Sequence, residues 1–357
     1  MIKINLLIGS GINYKNYFVK LKIIDIKSKT IIKNVQREFL DADNVVEFIR
    51  ENCKNFNLVS KFTQQTKKYF ELSNEIMSRF NWLECSQEYL IKQERCLRSL
   101  VFWGGYLRLE NIQINVPFGV VDNDHNICNL LKSKIVEFDL ACENLKCVDF
   151  ETYLETDTCS LNFSNFSSGI FAHEFFGHLS EGDVAIRENL SVNLNAICPG
   201  LEVYDLANGE NRFNYSIADN GDSINNKVNL LENSMSIRTG NSFLGVTELG
   251  ELSESLRQRN LEVIAIEKLN QKNPYKCIIL AAGLNSKTGD LTLRCSLGIN
   301  SFNLVFNVSE IKKIYSTDTK IISYATYCWK KKSPQLITLT NPQLSVDLIK
   351  PIKEYLR

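Results

Sequence analysis

The stretch "SSGIFAHEFFGHLSEGD", residues 167–183, contains two of the three histidines of the chain. His173 and His178 stand five residues apart in an apolar segment that predicts a helix over residues 166–179. On a regular α-helix, positions i and i+5 point about 140° apart. The two imidazoles can therefore share a face only if the helix is widened between them. A π-type turn does this, and Gly177 gives the backbone the freedom to form one.

The same stretch carries the groups that a metal-dependent hydrolase needs. Such a site uses neutral imidazoles as ligands and a carboxylate that takes a proton from water, and His173, His178 and Glu174 supply them. A lone histidine in an apolar helix is most often a buried structural residue. Here two histidines flank a glutamate, whose burial is costly without a cationic partner. The pattern therefore favours a metal site.

These residues resemble the signature H-E-x-x-x-H-x-x-E-G-D of the TldD/PmbA metallopeptidase family, in the TldD-type subunit that keeps its metal site. The residues on signature positions are His173, Glu174, His178, Glu181, Gly182 and Asp183. The chain is identified as a divergent, shortened member, with the resemblance covering residues 165–348. In this family the metal is zinc, which two histidines and a cysteine near the C-terminus hold.

The segment "CWKKKSPQLITLTNPQLSV", residues 328–346, resembles the C-x-K and P-x-L-x-V segments of the family. The resemblance implies one zinc per chain, with Cys328 as the third ligand beside His173 and His178. The other ten of the eleven cysteines are expected to be core residues. Trp329 and a lysine run replace the small residues that the family has after the cysteine.

Two further segments resemble the family more loosely. "SIADNGDS", residues 216–223, is similar to an Asp-rich turn, and "RQRN" is similar to an R-x-x-N segment. Together with the signature, they imply four residues that contact the metal ligands or the substrate: Glu181, Asp183, Arg257 and Asn260.

The resemblance implies a zinc-dependent peptidase in which Glu174 takes a proton from the attacking water. Its substrate would be an extended, unstructured peptide, as in leader removal or maturation of a small peptide. A homologous TldD/PmbA-type partner subunit or a homodimer is expected. Two alternatives stay open: a non-hydrolytic peptide-tailoring enzyme that uses the same metal, and a metal-stabilised scaffold subunit. A purely structural zinc would have no use for a base beside a ligand, so Glu174 counts against the scaffold.

The composition excludes other classes of function. The chain has 357 residues, with 41 basic and 41 acidic side chains and a formal net charge of zero. Without a basic patch we expect no nucleic-acid partner, and without a run of about 18 apolar residues we expect no membrane span. The N-terminus is typical of a strand, not of a signal peptide. The scattered cysteines then indicate a cytoplasmic protein.

The order of patterns predicts an α+β fold. Residues 18–38 predict a hairpin, residues 41–53 and 60–80 two helices, and residues 98–121 strands and turns around Gly104, Gly105 and Gly119. An amphipathic helix is expected over residues 127–145, and short strands dominate after residue 183. We therefore predict a mixed α/β N-terminal domain of residues 1–145. A β-rich domain of residues 146–357 follows and carries the metal helix 166–179.

Overall fold

The computed structural model contains two β-sheets, helices packed on one of them, and one helix that contacts both. It describes residues 1–11, 16–28, 30–56, 58–109, 114–122, 126–143, 153, 157–180, 192–207, 227–232, 260–270, 275–297, 300–330 and 333–357.

The N-terminal elements are a mixture of strands and helices, as predicted. They are β1 (Ile2–Ser10), β2 (Tyr17–Asp25), β3 (Thr30–Phe39), α1 (Ala42–Cys53), α2 (Val59–Phe70), α3 (Asn74–Met77), β4 (Phe80–Lys92), β5 (Arg95–Leu109), β6 (Ile114–Val121) and α4 (Ile127–Glu143).

The later elements are mostly strands. They are β7 (Ser160–Phe163), α5 (Asn165–Ala172) with a π-helical continuation (His173–Gly177), α6 (Leu194–Ile197), β8 (Leu201–Leu206), β9 (Lys227–Asn229), β10 (Asn260–Ala265), β11 (Lys276–Asn285), β12 (Asp290–Leu297), β13 (Asn300–Asn307), β14 (Ile311–Ser316), β15 (Ile322–Lys330), β16 (Ser333–Asn341) and β17 (Leu344–Leu348). Short 3₁₀ turns lie at Val308–Glu310 and Ile352–Tyr355.

The larger sheet has eleven strands in the order β3-β2-β1-β4-β5-β6-β15-β16-β10-β8-β9. The smaller sheet has six, in the order β13-β12-β11-β7-β17-β14. Most neighbouring strands are antiparallel, and the β10–β16 and β11–β7 pairs are parallel. The predicted α+β class is confirmed.

The N-terminal strands bury one face beneath helices. Ile4, Leu6 and Ile8 alternate along β1 and lie in one hydrophobic core with Phe48 of α1 and Phe62 of α2. The predicted hairpin is confirmed as β2 and β3. The predicted helix over residues 41–53 is confirmed as α1, and α4 begins at residue 127 as expected.

The single helix predicted over residues 60–80 is wrong. The helix α2 ends at Phe70, and the side chain of Ser73 begins a separate turn, α3, by accepting a hydrogen bond from the amide of Ile76. Phe80 already belongs to β4 and is buried. A serine that caps a new turn competes with helix continuation, and burial of Phe80 favours the strand.

Strands and turns were predicted over residues 98–121. The strands are confirmed as β5 and β6, but Gly104, Gly105 and Gly119 lie inside these strands and not at turns. The strands pack so closely there that a Cβ atom on Gly105 would lie 1.8 Å from the carbonyl oxygen of Trp82. These glycines therefore permit close approach of strands and do not mark a turn.

The eleven-stranded sheet consists of two halves. Strands β1 to β6 come from residues 2–121, and the remaining strands come from residues 201–341. Between the described residues, the registered pair of Ala325 with Gly119 joins β15 to β6. Pro117, two residues before Gly119, has no N–H group that could donate a hydrogen bond to a neighbouring strand. The predicted domain boundary at residue 145 lies outside the described residues and stays a prediction.

Candidate metal centre

The metal helix starts where β7 ends. Ser164 caps it by accepting a hydrogen bond from the amide of Ser167 over 3.3 Å. Three buried phenylalanines then hold its apolar side: Phe171 stacks on Phe163 and on Phe175, with ring centroids 5.2 Å and 5.6 Å apart. Nearly every residue of the helix is buried, in keeping with its largely apolar sequence.

The helix departs from α-geometry between the two histidines. Residues His173–Gly177 form a π-helix, and the amide of His178 donates to the carbonyl oxygen of His173, five residues earlier. The predicted widening is therefore confirmed. It turns a spacing that would diverge on an α-helix into one that brings both rings to one side.

The three side chains converge. The rings of His173 and His178 lie 4.8 Å apart between centroids. The Nε2 atom of His178 is 3.4 Å from one carboxylate oxygen of Glu174, and the Nε2 atom of His173 is 3.8 Å from the other. All three side chains are buried, with 2%, 6% and 7% exposure for His173, Glu174 and His178. Sequence analysis and structure place the same three residues together.

This group fits a divalent metal by the chemistry of its donors. One ligand atom from each residue lies within 4.8 Å of the others, and among the described residues this is the one such group of His, Cys, Asp and Glu side chains. Imidazole nitrogens suit zinc and other transition metals. A buried carboxylate beside them gains from a cation, which would offset the cost of its desolvation.

The structure places Cys328 in β15, opposite Gln335 of β16. The metal helix contacts both of these strands. The side chain of Cys328 lies outside what the structure describes, so its role as a ligand stays a prediction.

The core assignment of the other cysteines holds for most of those described. Cys53, Cys85, Cys198, Cys277 and Cys295 are buried. Burial raises the pKa of the Cys277 thiol to about 12, which keeps it a neutral packing residue.

Three cysteines are half-buried. Cys96 and Cys128 pack against the N-terminal core. Cys159 belongs to neither hydrophobic core, so the expectation that it is a core residue is wrong. It lies just before the first residue of β7, outside the strand.

Four further site residues were predicted. Three of them, Glu181, Asp183 and Arg257, lie outside the described residues. Asn260 is fully buried at the start of β10, where its side-chain amide donates to the carbonyl oxygen of Leu206 over 3.1 Å. That bond joins β10 to β8, so the described contact of Asn260 is with the sheet.

Sequence reasoning missed the hydrogen bonds that place the metal helix. The hydroxyl of Ser167 accepts from the amide of Ile279, and the hydroxyl of Ser168 accepts from the amide of Leu344. The side-chain amide of Asn341 donates to the carbonyl oxygen of Asn165. The serines before the apolar run signal a helix start, but their partners are too far away in sequence to be read from it.

Comparison with known proteins finds distant similarity to solved structures. No protein-family profile and no curated protein match the chain. Among solved structures, it is similar to a crystal structure of "a putative modulator of DNA gyrase" from Bacteroides thetaiotaomicron, with 10% identity and a TM-score of 0.39. The likeness covers 97% of this chain and 93% of that chain. At this distance, the family resemblance of the motifs stays a prediction.

Among the described residues, none of the helices combines the length and the apolar character needed to cross a bilayer.

Proposed function

We propose that this chain is a zinc-dependent peptidase of the TldD/PmbA type. The observation that supports it is the group of His173, Glu174 and His178, whose ligand atoms lie within 4.8 Å of one another on a π-helical turn. π-Helical turns concentrate at functional sites. In this proposal, His173 and His178 bind the metal and Cys328 completes the ligand set.

The chemistry divides between the metal and the protein. Zinc bound by three protein ligands would act as a Lewis acid that polarises a carbonyl group and lowers the pKa of water. Glu174 accepts the proton of the attacking water and returns it to the leaving amine. Its carboxylate sits between the two imidazoles, 3.4 Å and 3.8 Å from their Nε2 atoms. The buried phenylalanines around the helix exclude bulk water from the inner side.

The substrate would be an extended peptide. A folded protein cannot bring its backbone to a buried site unless it unfolds locally, whereas a flexible chain can. Both histidines are less than a tenth exposed, so access is narrow. Maturation or leader removal of a small peptide would suit such a site.

We further propose that full activity requires a second subunit, either a second copy of this chain or a homologous partner, and that the isolated chain cleaves peptides slowly. A partner would supply part of the wall of the substrate cleft and increase the rate of cleavage without changing the metal ligands.

Mass spectrometry of cleavage products tests the proposal. A mixture of unstructured peptides is incubated with the purified, zinc-loaded protein, and a matched sample contains a folded domain that carries the same cleavable sequence. We expect products from the free peptides and none from the folded domain, with loss of products after chelation of the metal. Absence of cleavage by the chain alone and by its co-expressed complex would contradict the proposal.

A further inference from the structure

The metal helix follows directly after β7 and contacts β11 and β17, the two neighbours of β7 in the smaller sheet. β7 pairs with β11 on one side and with β17 on the other, and it ends at Phe163. The next amide, of Ser164, still donates to the carbonyl oxygen of Cys277 over 3.1 Å. From there the chain turns into the helix, whereas the parallel strand β11 continues to Asn285. The antiparallel strand β17 begins at Leu344, beside the end of β7.

Two adjacent serine hydroxyls of the helix accept hydrogen bonds from amides of β11 and β17 that do not pair with β7. The hydroxyl of Ser167 accepts from Ile279 of β11 over 2.8 Å, and the hydroxyl of Ser168 accepts from Leu344 of β17 over 2.7 Å. Ser168 also donates to the carbonyl oxygen of Ser164 over 2.8 Å. Both side chains are essentially inaccessible to solvent. Each serine therefore fixes the helix to a different strand.

The segment that Ser168 contacts is connected through β16 to β15, the strand of the predicted third ligand. β16 ends at Asn341 and β17 begins at Leu344, so both ends of this short connection bind the helix. Asn341 donates to the carbonyl oxygen of Asn165 over 2.9 Å. β16 pairs along its whole length with β15, the strand that contains Cys328.

We propose that Ser168 and Asn341 are positioning residues that set the distance between the histidine pair and Cys328. This inference rests on the proposed function. Ser168 lies five residues before His173, about 7.5 Å along a helix axis, so a shift at Ser168 moves the imidazoles with it. Residues that orient metal ligands typically change metal affinity 10- to 100-fold when they are replaced.

Ser167 is the matched control. It is the neighbour of Ser168, is equally buried and makes the same kind of bond, but its partner strand β11 lies on the other side of β7. Replacing either serine by alanine leaves one buried amide without an acceptor. The two variants should therefore lose similar thermal stability, a few degrees in melting temperature. Only Ser168 connects to the strand pair that contains Cys328.

The experiment measures zinc affinity by competition with a chromophoric chelator, in the full chain and in four variants. We expect Ser168→Ala and Asn341→Ala each to lower the affinity about 10-fold or more. Ser167→Ala should stay within about twofold of the wild type, and Ser168→Thr should recover affinity because it keeps the hydroxyl. Cobalt substitution gives a second readout: the thiolate-to-cobalt charge-transfer band should weaken in Ser168→Ala and persist in Ser167→Ala.

The outcomes separate this inference from the proposed function. If wild-type protein binds zinc through Cys328 and both Ser168→Ala and Asn341→Ala bind it equally well, the positioning role is wrong and the peptidase proposal stands. An equal loss of affinity in Ser167→Ala and Ser168→Ala would also overturn the role, because it would indicate general destabilisation. If the wild-type protein binds no zinc, the proposed function fails and the inference fails with it. Asn341→Ala keeps the test decisive even if Ser168→Ala does not fold.

Discussion

The carbonyl oxygen of His173 accepts a hydrogen bond from the amide of His178, five residues on. This backbone bond is the reason why the two imidazoles, which would point apart on an α-helix, lie 4.8 Å from each other between ring centroids. It also places Glu174 with one carboxylate oxygen toward each ring. The candidate metal site thus depends on one local departure from regular helix geometry.

Removing the proposed thiolate ligand should release the metal. We expect about one zinc per wild-type chain by elemental analysis, and a large loss in Cys328→Ala because two imidazoles alone hold zinc less tightly than three protein ligands do. Cys159→Ala is the matched control, since Cys159 is half-buried and is not proposed as a ligand. Full zinc content in Cys328→Ala would show that another group is the third ligand.

Replacing the proposed base should separate binding from catalysis. Glu174→Gln keeps the shape of the side chain and leaves the proposed ligands in place, so zinc content should not change. Peptide cleavage should fall by roughly 10²- to 10⁴-fold, the usual contribution of a general base. Glu75→Gln, at an exposed carboxylate on α3, should have no effect on rate. Near-normal turnover in Glu174→Gln would remove this residue from the mechanism.

The sequence predicts the parts of this fold whose signals are local. The β2–β3 hairpin, α1 and the widened metal helix all follow from residues close together in the chain. The helix placement does not, because Ser168 and Leu344 are 176 residues apart. The break before Ser73 was missed because a cap and a buried Phe80 override helical periodicity. Gly104 and Gly105 were misassigned because close strand packing and turns both use glycine.

The close packing around Gly105 predicts a large effect on stability. In Gly105→Ala the new methyl group would meet the backbone of Trp82, and neither strand can move without breaking the β4–β5 ladder. We expect a loss of about 3 kcal/mol or more in the free energy of unfolding. The control is Gly283→Ala in β11, where a Cβ atom would have no neighbour within 4 Å. That variant should stay within about 0.5 kcal/mol of the wild type in urea unfolding.

The proposed dependence on a second subunit predicts how activity varies with assembly. Cleavage of an unstructured peptide should be slow for the isolated chain and faster for a complex purified after co-expression with a homologous partner, or for a homodimer at higher concentration. Zinc content should be the same in each case, because all three proposed ligands belong to this chain. Full activity from a protein shown to be monomeric by light scattering would contradict the need for a partner and leave the metal chemistry unaffected.

Anomalous diffraction at the zinc absorption edge, on crystals of the purified chain, tests the metal site most directly. The expected result is one peak about 2.0–2.1 Å from a ring nitrogen of His173 and of His178, and about 2.3 Å from the sulfur of Cys328. Glu174 should lie outside bonding distance, with the fourth position open to solvent or substrate. A zinc-loaded crystal with no peak between the two imidazoles, or with the peak bound by other residues, would contradict the assignment.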